Sequence, residues 1–78
     1  MKTIDFKNRI LRDLNDITRA LDVEQQNHSR IIKTAQKVEI PEELMIVTEQ
    51  LEDSETEIRR LSYLKHICEI AIDELEMI

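Results

Sequence analysis

Seam positions in the first half of the chain recur in alternating steps of four and three: Ile10, Leu14, Ile17, Leu21, Glu24, His28, Ile31, Ala35 and Val38. A repeat averaging three and a half residues keeps all of these on one helix face, as the seam of a coiled-coil packing does. Glu24 and His28 are the polar members, and they lie in the middle of the run. The second half repeats the pattern through Leu44, Val47, Leu51, Ser54, Ile58 and Leu61, then drifts onto Leu64, Cys68, Ala71, Leu75 and Ile78. Ser54 is its polar member.

The two runs are separated at Pro41, in the stretch KVEIPEEL. Proline fits the first turn of a helix and pushes the residue before it toward extended backbone, so Ile40 should lie outside both helices. Glu42 and Glu43 follow where the helix dipole favours acids, and Lys33 and Lys37 precede the break where it favours bases. With Thr3 as the N-cap, the pattern predicts a helix over 3–37, a turn over 38–40 and a helix over 41–77. The fold class is all-α: one domain, 1–78, folded as an antiparallel helical hairpin.

Equal helices joined by a tight turn set residue i of the first near residue 79 minus i of the second. Glu24 and His28 then fall beside residues 51–55, and the polar members face one another. The expectation is a hydrogen-bonded seam layer of Glu24, His28 and Ser54 that fixes register at some cost in stability.

A second apolar stripe, Tyr63, Ile67, Ile70 and Met77, runs beside the main seam of the second helix. A single hairpin can cover one face of each helix, so this stripe predicts a second copy and a dimeric four-helix bundle. In plan, though in no residue motif, such an assembly resembles the small hairpin dimers of the ROP type.

Composition agrees with helices and little else: the 78 residues contain no glycine and one proline, and 36% are charged. Turns and β-hairpins draw on glycine and proline. A chain this short makes a marginal core unless something is added to it. The single cysteine, Cys68, cannot form an internal disulfide and fits a reducing compartment; on the apolar side of its helix it is expected to be a buried, inert thiol. No signal-peptide-like or membrane-spanning run is visible, which gives the expectation of a soluble cytoplasmic protein without membrane contact. Without a secretory signal, Asn27-His28-Ser29 carries no weight as a glycosylation acceptor.

Charge is divided unevenly. Residues 1–37 hold eight Lys or Arg against five Asp or Glu, and residues 38–78 hold three against twelve, for a net −6. From Glu39 to Glu57 there are eight acids and no base. Such a run is ordinarily a solvated face. Its functional reading is a surface, centred on Glu49, Glu52, Asp53 and Glu55, that recognises a basic partner.

The residues offer little for catalysis or metal binding. Glu24 and His28 share a face at i, i+4, but a zinc site needs three or four ligands and a carboxylate-bridged di-metal bundle needs Glu-x-x-His on two helices. His66, Glu69 and Asp73 share the solvent side of helix two with Arg59, Ser62 and Glu76. Glu39-x-x-Glu42-Glu43 resembles the first half of the carboxylate pattern of the all-helical MazG-type nucleotide pyrophosphohydrolases. The second half, Glu-x-x-Asp, is not matched, because Glu69 and Asp73 stand one residue too far apart. No glycine can build a phosphate loop, and interspersed charges with few aromatics do not favour direct nucleic-acid binding. The expectation is a protein without enzymatic activity, metal or cofactor: a homo-oligomeric adaptor or regulator that binds another protein. The alternative is an inhibitor of the kind encoded by phages and mobile elements, its acidic surface blocking a nucleic-acid-binding or defence protein.

Overall fold

The computed structural model describes residues 2–77, which form two α-helices, α1 (Lys2–Ala35) and α2 (Pro41–Glu76). They pack against each other as a hairpin measuring 59 × 14 × 14 Å between Cα extremes. Glycine-free chemistry shapes the turn. α1 ends by tightening, with Lys37 N–H donating to the Thr34 carbonyl (3.0 Å) and Val38 N–H to the Ala35 carbonyl (3.2 Å). These i→i−3 bonds satisfy the last carbonyls without a left-handed residue, and no described residue has a positive φ. Ile40 then takes extended backbone (φ −101°, ψ 128°) and Pro41 opens α2, as steric exclusion by the proline ring requires.

The helix ends differ in detail from expectation. α1 already includes Lys2, so Thr3 stands inside the helix and its hydroxyl is not at the capping position. Lys37 lies past the end of α1, leaving Lys33 as the base in the last turn. α2 stops at Glu76, and Met77 caps it with its N–H directed at the Asp73 and Glu74 carbonyls (3.3 Å each). Thr18, Thr34, Thr48 and Thr56 direct their hydroxyls to the carbonyl four residues earlier, which lets a β-branched polar residue sit in a helix with its donor satisfied.

The core is one seam. Ile10 and Leu21 from α1 meet Val47, Leu61 and Ile72 from α2, flanked by half-buried Leu14, Ile17, Ile31, Ala35, Leu51, Ile58, Leu64, Cys68, Ala71 and Leu75. Two corrections follow. Leu44, expected on the seam, is 50% exposed: pairing by 79 minus i sets it against Ala35, the last residue of α1, whose methyl is too short to cover a leucine. Ile72 joins the core beside Ala71, as the seam crosses the surface of α2 by the drift between the helical period and seven. Cys68 is free and half-buried. Ile78, the last expected seam residue, lies outside the described residues.

Among the described residues two acid–base contacts join the helices: an ion pair from Lys7 Nζ to Glu76 Oε1 at 3.4 Å, and His28 Nε2 to Glu55 Oε1 at 3.5 Å, an ion pair when the imidazole is protonated. In each pair the residue numbers add to 83 rather than 79. Helical side chains lean toward their own N-terminus. In an antiparallel pair that lean carries long side chains past the level of their Cα atoms, in the sense observed.

Candidate functional site

The expected polar layer is present at the seam, but not as a mutual hydrogen-bond network. Ser54 is buried, with 3% of its surface exposed, because its position between Leu51 and Ile58 points it at α1. Its Oγ has no hydrogen-bond partner among the described residues. Half-buried His28 places Nε2 within ion-pair reach of Glu55, yet the alignment is not that of a hydrogen bond and the nitrogen is otherwise enclosed. Glu24 turns to its own helix: its Oε1 accepts from Asn27 Nδ2 at 3.3 Å, and Asn27 Oδ1 accepts from Arg30 Nη2 at 2.6 Å. Sequence reasoning weighed Asn27 only as a glycosylation acceptor, not as a link in this chain of side chains. The i, i+3 spacing of Glu24, Asn27 and Arg30 was the available signal.

This chain of polar side chains borders an open groove of about 530 Å³ along one flank of the hairpin. Glu24, Asn27 and Arg30 line it from α1, and Asp53, Ser54 and Glu57 from α2. Three carboxylates face one guanidinium there. The Glu57 carboxyl is held below the ordinary carboxylate range by hydrogen bonds from Arg60 (Nε to Oε2, 3.0 Å, with Nη2 to Oε1 beside it), and the same bonds hold the Arg60 guanidinium above its ordinary value. That fork occupies both Glu57 oxygens and leaves Glu24 and Asp53 in the groove without an ion-pair partner among the described residues.

The acids singled out in the sequence are all exposed: Glu49, Glu52, Asp53 and Glu55. They do not lie on a single face. Helical spacing sets Glu49 and Glu52 on the side of α2 away from α1, Asp53 at the groove, and Glu55 on the opposite flank, where it meets His28 and, at 3.8 Å, Arg59. Glu49, Glu52 and Asp53 have no ion-pair partner among the described residues.

The second apolar stripe is open to solvent, with Tyr63 65%, Ile67 44%, Ile70 41% and Met77 87% exposed. Ile4, Phe6 and Leu11 of α1 are exposed at the same end of the hairpin. His66, Glu69 and Asp73 are exposed. Among the described residues no three His, Cys, Asp or Glu side chains come together as a metal-binding group, and no helix is long and apolar enough to cross a membrane. No protein-family model, curated protein or solved structure matches the chain.

Proposed function

We propose that this chain is a non-catalytic protein–protein interaction module: a self-associating helical adaptor or regulator that engages a partner through its acidic α2 surface. The observation that carries this reading is the state of Glu49, Glu52 and Asp53. They are exposed and have no basic partner among the described residues, within a stretch of eight acids that holds no Lys or Arg. Their mutual repulsion is relieved when a basic surface docks, and such a field accelerates the encounter. The partner is therefore a protein with a basic surface. Blocking the nucleic-acid site of such a protein is the inhibitory form of the same contact, supported by the same acids. Self-association is supported by the open stripe of Tyr63, Ile67, Ile70 and Met77, because exposed apolar side chains that share one helix face are stabilised by a covering partner.

A pulldown from native cells, repeated over a range of salt, tests the acidic contact. Capture that falls steeply with salt, and is lost when Glu49, Glu52 and Asp53 are changed to lysine with helicity intact, supports it. Salt-independent capture by the triple variant overturns it.

A further inference from the structure

We infer that the outer face of α2 is covered by the α2 of a second copy running antiparallel to it, about a two-fold axis at the level of Ile67. This rests on the self-association in the reading above and specifies its geometry.

The first argument is area. A compact folded monomer of 9.3 kDa exposes about 5,000 Å², whereas this chain exposes 6379 Å². The excess, roughly 1,400 Å², exceeds the ~800 Å² that each partner contributes to a standard stable interface. Four exposed apolar side chains in steps of four, three and seven (Tyr63, Ile67, Ile70, Met77) form the row along which another helix packs. α1 cannot reach that row, because it occupies the opposite side of α2.

The second argument is charge, and it decides orientation. Glu49, Glu52 and Glu74 share the outer side of α2 with the apolar row. In a parallel pair each of these acids would face its own copy, and like charges directly opposed are unfavourable. In an antiparallel pair about Ile67 the outcome reverses. Arg60 and Glu74 each lie seven residues from Ile67, so Arg60 of one chain comes level with Glu74 of the other, twice over by symmetry. Both residues are exposed, and Arg60 keeps donors for a second carboxylate beside Glu57. α2 ends at Glu76, which comes level with Ile58 of the other chain, so Glu49 and Glu52 of both chains lie beyond the reach of the partner's α2. At ~1.5 Å per residue they lie about 50 Å apart. The dimer is then a rod with one acidic docking end per copy, able to hold two basic partners.

Sedimentation equilibrium of the whole protein comes first, with a dimer expected at micromolar concentration. Orientation is read from disulfide trapping in a Cys68→Ser background. Chains carrying Arg60→Cys and chains carrying Glu74→Cys should cross-link to each other when mixed under oxidation, and neither should cross-link to itself. Arg60→Glu should weaken the dimer at least tenfold, and adding Glu74→Arg should restore it. Self-cross-linking of either variant overturns the antiparallel geometry. A wild-type dimer that yields no cross-link in any mixture overturns the α2 face as the interface. A wild-type monomer overturns the dimer altogether. If that monomer still captures a basic protein in a salt-dependent way, acidic recognition stands alone; if capture is also lost, both readings fail together.

Discussion

His28 Nε2 lies 3.5 Å from Glu55 Oε1, so the polar interruption of one helix is answered across the seam by an acid on the flank of the other. Buried Ser54, next to Glu55 in the chain, is left without a hydrogen bond among the described residues. The layer therefore costs stability at two atoms, the Ser54 hydroxyl and the enclosed imidazole nitrogen, and recovers part of it only when the imidazole is protonated, through a half-exposed ion pair worth less than about 1 kcal/mol.

Ser54 gives the sharpest measure of that cost. An unsatisfied buried hydroxyl carries a desolvation penalty of roughly 1–3 kcal/mol, and alanine is also the better helix former by about 0.5 kcal/mol. Ser54→Ala is expected to stabilise the protein by about 1–2 kcal/mol. In a domain of this size each kcal/mol raises the melting temperature by about 4–8 °C. Circular-dichroism melts at fixed protein concentration check it, and an unchanged or lower melting temperature would show that the hydroxyl is satisfied in solution.

The seam itself predicts a contrast between two leucines. Leu61 is buried, at 5% exposure, between half-buried Ile58 and Leu64. Leu61→Ala is expected to cost about 2–4 kcal/mol through lost burial and the cavity left behind. Leu44→Ala, at a half-exposed site, should cost less than about 1 kcal/mol. Urea denaturation of both variants gives the comparison directly. Equal costs would return Leu44 to the seam.

Much of the seam was readable in the sequence because its period is local information. Each of Ile10, Leu14, Ile17 and Leu21 predicts the next, and Pro41 with Ile40 dictates the break by sterics alone. Leu44 departs from its expected place for a non-local reason: periodicity places a residue on a face but does not give the size of the side chain that stands across from it. The polar layer was legible as a place and not as a network. That Ser54 finds no partner among the described residues, and that His28 stops short of a hydrogen bond to Glu55, depends on side-chain reach across the gap, where one ångström separates a hydrogen bond from none.

Glu57 and Arg60 supply a pH dependence with a definite sign. The folded-state carboxyl of Glu57 titrates below its ordinary value because Arg60 donates hydrogen bonds to it. As pH falls the unfolded chain therefore takes up this proton first. The stabilisation is fully present above the ordinary carboxylate range and is lost as pH drops through the lowered pKa. Both side chains are substantially solvent-exposed, so screening keeps the effect small. Glu57→Gln is expected to melt slightly below the wild type at neutral pH, with the gap closing in strongly acidic buffer. A gap that widened on acidification would contradict the pairing.

The replacement of both Glu24 and His28 by leucine tests what the polar layer is for. Leucine at these half-buried seam positions would join Leu21 to Ile31 without interruption, adding about 1–2 kcal/mol of apolar burial at each place. Against this stand the Glu24–Asn27 hydrogen bond and the His28–Glu55 pair, both short-range and partly solvated; Asn27 would retain Arg30 as a donor. The double variant should therefore melt higher than the wild type. A seam that is apolar throughout fits a partner helix equally well when slipped by a heptad, whereas the polar layer fits only where Ser54 and Glu55 stand across from it. Native mass spectrometry should accordingly find a single assembly for the wild type and mixed species for the variant. Higher stability with unchanged uniformity would mean that register is set elsewhere, by the turn at Ile40-Pro41. Unchanged stability with loss of partner capture would make Glu24, with Asn27 and Arg30 beside it in the groove, part of the recognition surface.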